Sequence, residues 1–376
     1  RKHGYASLIC TSRDLIYKNN NILFPLSLIL YELPLYFSNN LFLPALPQIR
    51  EAFNISNATV QLSIALWFLG TSTFQVILGP LSDHYGHKKI LLLGGLLFLV
   101  ATFICSVTPS ITWFLAARFL QGCVVSTILV AGYAKIHERL DKKQAIQTIS
   151  WMGSITVMAP AIGPILGSLL INWMSWRWLF AGLIVWAAVS LYLLNVFMPV
   201  DLFQQKKLNL RKIGMDYRKV LINFNFWKYT LAFCGLFAAL MAWDTLSPFY
   251  LMGYLNLSVI KFGFLQTLVY VFFILGIRLQ ALLLCPLNKL FLGGLIFALV
   301  YFIFGLAALI YLPQHLLWVM GCILFFSAST GLIFYSLHRI AVETPKAPMG
   351  TTIAVFSTAM NLFGFLGSLA ARAMHF

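Results

Sequence analysis

The chain has 376 residues, 60% of them hydrophobic and only 10% charged, with a mean hydropathy of +0.86. Soluble domains carry about a quarter charged residues, so a water-facing globular protein is excluded. The net charge of +16 would suggest nucleic acid in a soluble protein, but here the placement of the cations matters more than their sum.

Apolar runs of about 20 residues recur along the whole length, which predicts an all-α membrane protein. A β-barrel would show alternating segments of about 10 residues instead. The first twenty residues are mixed and polar, without the apolar core of a signal peptide. Residue 1 is Arg and the first methionine is Met152, so translation is expected to start upstream.

The first predicted span, 22–44, contains LILYELPLYFSNNLFLPALP. Glu32 lies about ten residues in, roughly 15 Å deep at 1.5 Å per residue. Asn39 and Asn40 follow one and a half to two turns later. A carboxylate at that depth is costly unless it faces a cavity or a partner. It can serve as a proton or cation site if access alternates between the two sides; the alternative is a structural hydrogen bond to a neighbouring helix.

Span two, 60–82, runs into GPLSDHYGHKK, Gly79 to Lys89, ahead of span three, 89–108. Gly79 and Gly86 are expected to permit a tight turn and Asp83 to cap a helix start. Lys88 and Lys89 hold the loop on the cytoplasmic side. Span four, 111–136, carries Arg118 with Gln121 on the same face. Arg118 either tunes a nearby carboxylate or bridges helices through backbone carbonyls. Span five, 146–172, carries MAPAIGPILGS, with Pro160 and Pro164 four apart and Gly163 and Gly167 likewise. The spacing predicts a bent helix that lets another approach closely. Span six covers 177–198.

Segment 199–227 is the one long polar stretch, and its spaced apolar and basic residues predict an amphipathic helix on the membrane surface. Spans seven to eleven lie near 228–252, 260–284, 290–312, 315–340 and 350–374. Asp244 falls in the outer part of span seven, either lining a cavity or marking the water boundary. Arg278 sits near the inner end of span eight, where it can snorkel. The loop at Cys285 to Lys289, CPLNK, echoes the first-half loop faintly. The six cysteines are scattered without a CxxC pair, which supports neither a disulfide framework nor a metal site.

With the N-terminus inside, twenty of the 26 Lys and Arg fall in cytoplasmic segments. Only Arg50, Arg177 and Lys261 fall outside, and Arg118, Arg278 and Arg372 lie within spans. The positive charge is therefore an orientation signal. The division is a six-helix bundle over 1–198, a cytoplasmic linker over 199–227 and a five-span bundle over 228–376. A six-plus-six plan needs one more helix, expected beyond Phe376.

These residues resemble a family. GPLSDHYGHKK resembles the loop signature of the major facilitator superfamily. RFLQG, Arg118 to Gly122, resembles the span-four motif of its proton-coupled members, and APAIGPILG, Ala159 to Gly167, the span-five motif of its antiporters. ILFPLSLILYE, Ile22 to Glu32, is similar to the first helix of the multidrug facilitator A type, and LFLPALP to the bicyclomycin and chloramphenicol resistance exporters. Tyr133 and Glu138 match as well.

The resemblance implies two bundles with inverted repeats around a central site that opens to each side in turn. It implies that Glu32 lines the water-accessible, aromatic-rich cavity for substrate and proton, that Arg118 tunes it, and that Asp83 latches the bundles on the cytoplasmic side. Asn40 departs from the pattern, since relatives often keep an Asp there. Coupling then either rests on Glu32, alone or with Asp244, or is altered or lost. His84 and His87 stand where the family usually has Arg, which predicts a weaker latch.

The expected function is proton-coupled export of lipophilic or cationic small molecules by a monomer in a bacterial inner membrane. The expected partners are the lipid bilayer, a small-molecule substrate and protons. No cofactor, metal, nucleic acid or enzymatic site is expected. Two alternatives stay open: a dedicated carrier of one metabolite or metal-chelating compound, and a non-transporting receptor or assembly partner.

Overall fold

The computed structural model describes residues 3–199, 210–282 and 287–374, with 3–21, 76, 80, 210, 212, 281 and 287–291 given by their backbone alone. The first part of the expected linker, with Lys206 and Lys207, and the loop residues Cys285 and Pro286 lie outside them. Ten of the described helices are long and apolar enough to cross a membrane, eleven when the two arms of one bent helix count as a span.

The chain opens with α1 (His3–Asn40), a 3₁₀ turn at Leu43–Ala45 and the short α2 (Leu46–Phe53). Pro44 and Pro47 sit at the starts of these last two pieces, where a missing N–H costs nothing. The left-handed Asn54 ends α2. Next come α3 (Asn57–Tyr85), α4 (His87–Val107) and α5 (Ile111–Thr127). α5 runs through a π-helical stretch, Ile128–Gly132, into α6 (Tyr133–Arg139). α3 is the bent helix, with 51° between its arms at Gln75 and Ile77.

The first half closes with α7 (Lys142–Ile171) and α8 (Trp176–Phe197). α9 (Leu210–Leu221) is the helix expected in the linker segment. The second half follows with α10 (Phe224–Pro248), a π-helical turn at Phe249–Tyr254, α11 (Val259–Leu282), α12 (Leu287–Tyr311), α13 (Leu316–Glu343) and α14 (Met349–Ala371).

Side-chain caps start several of these helices. Ser56 Oγ accepts from Thr59 N, Asp141 Oδ1 from Gln144 N and Asn223 Oδ1 from Phe226 N. The outward faces are apolar: Leu317, Trp318, Phe224 and Tyr192 are exposed. In water such a surface would aggregate, whereas in lipid it faces its proper solvent.

Packing repeats itself in the two halves. In the first, Gly70 and Gly122 bring α3 and α5 into backbone contact, because a Cβ on either would collide with a carbonyl of the other helix. Gly276 and Gly331 do the same for α11 and α13. Gly167 presses on the Leu41 carbonyl where α7 meets the end of α1, and Gly367 presses on the Ala238 carbonyl where α14 meets α10. Each half is thus a bundle held by small residues, as membrane helices require when lipid supplies no hydrophobic drive. The two bundles meet along α3 with α14 and along α7 with α11.

Candidate functional site

Glu32 lies on α1, fully buried, and neither carboxylate oxygen has a hydrogen-bond partner. Tyr36, one turn further, and Tyr133, the first residue of α6, lie within electrostatic reach of it. Tyr335, from α13 in the other bundle, is in turn within reach of Tyr133. Tyr36 and Tyr133 are themselves only half-buried, while Glu32 is 0% exposed in this conformation.

Arg118 is also fully buried, on α5. Its Nε donates to Ser63 O at 3.2 Å and its Nη1 to Ser38 O at 3.0 Å and to Gln121 Oε1 at 2.7 Å. Nη2 donates to Asn39 Oδ1 at 2.6 Å, and the guanidinium lies 4.1 Å from the centre of the Phe42 ring. Gln121 Nε2 continues the chain to Thr102 Oγ1 of α4 at 2.8 Å. Ser38 O belongs to the last turn of α1, where carbonyls lack helical donors, so Arg118 closes that end. The network joins four helices.

Its partners are carbonyls and amides, which is the contact pattern of the helix-bridging reading of Arg118. The two asparagines divide their work. Asn39 meets Arg118, while Asn40 donates back to Tyr36 O at 2.9 Å and packs against α7, where a Cβ on Gly163 would lie 2.7 Å from its own. Gly163 and Gly167 therefore seat α7 on the end of α1. Pro160 and Pro164 are carried within α7, which runs unbroken through them.

Asp244 does not mark a water boundary: it is 5% exposed. Gln266 Nε2 donates to its Oδ1 at 2.5 Å and the Tyr270 hydroxyl donates to its Oδ2. Trp243 Nε1 holds Gln266 Oε1 at 3.0 Å. Gln266 and Tyr270 went unread in the sequence, although their i, i+4 spacing in the apolar stretch FGFLQTLVY is a signal that could have found them. Arg278 is exposed on the last part of α11, as a snorkelling side chain would be.

Residues 28–368 match the Major Facilitator Superfamily. The chain belongs to this superfamily. It is 34% identical over 341 residues to the chloramphenicol resistance protein CraA of Acinetobacter baumannii, covering 89% of this chain and 82% of that one. It is 28% identical over 349 residues to the multidrug transporter MdfA of Escherichia coli O157:H7, covering 92% and 85%.

Among solved structures, a mutant of the nucleoside transporter NupG superposes with a TM-score of 0.71 at 14% identity, covering 93% of this chain and 91% of that one. The bacterial homologue of the human lysosomal transporter Spinster gives 0.69 at 16%, covering 93% and 81%. The facilitator fold and a multi-pass membrane transporter acting on small molecules are thereby established.

The facilitator's loop between α3 and α4 differs from expectation. Gly79 lies inside α3 with open space around it, and the turn belongs to Gly86 alone, at φ 96°. Asp83 sits in the last turns of α3, exposed, with no hydrogen bond or ion pair among the described residues. It neither caps α4, which has no side-chain cap, nor latches the bundles here. Lys88 has a structural contact of its own. Its Nζ donates to Asn195 O at 2.7 Å and Met198 O at 2.8 Å, capping the end of α8 where a cation is favoured. Lys89 lies over the Tyr85 ring at 5.7 Å.

Proposed function

We propose that this facilitator exports lipophilic or cationic small molecules from a bacterial cell in exchange for protons. It would act as a monomer in the inner membrane with its N-terminus in the cytoplasm. The similarity to CraA and MdfA supports the substrate class. One observation carries the proton role: Glu32 is enclosed without donor or cation. An isolated ionised carboxylate is expensive in such a place. The site suits an acid that holds a proton while enclosed and exchanges it when the bundles part. Arg118 acts through α1, since it holds Ser38 and Asn39 at the end of the helix that carries Glu32. The test is transport in liposomes with an imposed pH gradient. Wild type should accumulate substrate with the gradient and Glu32→Gln should not; a pH-driven uptake that survives Glu32→Gln overturns the proton role.

A second reading is a dedicated carrier of one compound. The amide at Asn40 favours it, because it stands where relatives often keep an acid and bonds back to Tyr36 O within α1. An efflux panel separates the two: resistance to many unrelated compounds supports the first reading, and transport of a single compound supports the second.

A further inference from the structure

Asp244 is the second buried acid inside a span, and the Glu32 site makes no use of it. Both its oxygens are bonded from α11, by Gln266 and Tyr270. Gln266 is fixed as a donor, because its own carbonyl oxygen is held by Trp243 Nε1. From α11, the titratable group facing Asp244 is the Tyr270 phenol. Tyr250, in the π-helical turn, packs on Trp243 and donates instead to Pro313 O at 2.8 Å. α3 contributes the Gln61 amide. Arg372 at the end of α14 and His338, Arg339 and Glu343 of α13 make no ion pair with Asp244 among the described residues, Arg339 pairing with Glu343 instead, and the turn Leu43–Ala45 carries no ionisable side chain.

Two donors and no cation hold a carboxylate, but they do not suit a carboxylic acid. A protonated Asp244 must donate its own hydrogen, and of its two partners only the Tyr270 hydroxyl can turn to accept it. Gaining a proton therefore rearranges the contact with α11.

The stretch of α11 that carries these donors also lies at the boundary between bundles. Thr267, between the two donors in sequence, donates from Oγ1 to Ala161 O of α7 at 2.7 Å. One turn earlier, a Cβ on Gly263 would lie 2.8 Å from Ser168 Cβ and 3.0 Å from Ile165 Cα, so the two backbones touch. On α10, the carbonyl of Thr245 accepts from Gln61 of α3 at 3.5 Å, again across the bundles. The π-helical turn that follows Pro248 interrupts the regular helical ladder and gives this end of α10 a place to bend.

We propose that Asp244 is a second proton-exchange site whose protonation loosens the seam between α7 and α11. It rests on the proton-coupled reading above and adds a second carboxylate, in the other bundle, that acts on the seam. The test uses the full chain in lipid nanodiscs without any transported compound. pH-difference infrared spectroscopy reads the carboxylic-acid C=O stretch. One band should vanish in Asp244→Asn, survive in Glu32→Gln, return in Asp244→Glu and move in frequency in Tyr270→Phe.

Spin labels at Trp173→Cys and Lys261→Cys, both exposed, in a cysteine-free background, read the seam. Their distance distribution should change with pH in wild type, stay fixed in Asp244→Asn and still change in Glu32→Gln. A difference spectrum unchanged by Asp244→Asn overturns the proton role. A seam response that survives Asp244→Asn overturns the coupling. Should Asp244→Asn fail to fold, Tyr270→Phe decides, since it keeps the acid: bands identical to wild type overturn the assignment. Because no substrate is present, these outcomes stand apart from the liposome test of Glu32.

Discussion

Arg118 had two readings in the sequence, and its hydrogen bonds follow the helix-bridging one. The pairing with Gln121 was legible, because three residues on a helix share a face. Asn39 and Ser63 were not, since they lie 79 and 55 residues away in sequence and only the packing of three helices brings them together. The same holds for Asp244, whose donors come from the next span. The consequence for Arg118 is measurable. Arg118→Leu strands Ser38 O, Asn39 Oδ1 and Gln121 Oε1, each buried acceptor costing roughly 1–3 kcal/mol when unsatisfied. The expected loss is on the order of 3 kcal/mol or more, read as a lowered unfolding midpoint in detergent. Arg118→Lys keeps the charge, but its three donors radiate from one point and cannot reproduce the planar fork. It should fall between wild type and Arg118→Leu. A lysine variant as stable as wild type would show that charge alone, rather than the fork, holds the four helices.

Whole elements were legible by length and composition, and their interruptions were not. Eleven apolar stretches stood out because each must satisfy its backbone inside lipid. The π-helical stretches at Ile128–Gly132 and Phe249–Tyr254 left no mark, since one extra residue within a fully apolar run changes no pattern. Glycines looked alike in sequence and differ in structure. Gly122 sits against the Trp67 carbonyl, whereas nothing lies within 4 Å of a Cβ on Gly79. Gly122→Ala should therefore push α3 from α5 and cost about 1–3 kcal/mol or more. Gly79→Ala should be neutral or add about 0.4–1 kcal/mol by restricting the unfolded chain. Thermal unfolding of the two variants side by side checks this, and equal effects would contradict the packing. The two loop lysines separate in the same way. Lys88→Met uncaps α8 and should cost about 0.3–2 kcal/mol, while Lys89→Met, exposed, should stay within about 0.5 kcal/mol of wild type.

At the scale of the whole molecule, charge placement and internal repetition were both visible, the first in sequence and the second only in packing. The repeated contacts, α3 on α5 like α11 on α13 and α1 with α7 like α10 with α14, rest on glycines that no shared motif announces. Two of the three cations on the expected outer side, Arg177 and Arg50, have local contacts. Arg177 Nη1 donates to Ser106 O and Thr108 O at 3.0 Å each, closing the end of α4, and stacks over Trp176 at 4.4 Å. Arg50 reaches Asn57 Oδ1 at 3.1 Å. These exceptions therefore serve helix ends and leave the charge asymmetry intact as an orientation signal. It predicts the sidedness of two exposed positions. Trp173, 85% exposed between α7 and α8, belongs outside, and Asp83, exposed at the end of α3, belongs inside. In intact cells an impermeant thiol reagent should label Trp173→Cys at once and Asp83→Cys only after permeabilisation. Both variants are made in a cysteine-free background, because the parent chain has six cysteines and Cys322 is only half-buried. The opposite pattern would invert the molecule, and with it the direction in which Glu32 and Asp244 would meet each compartment's protons.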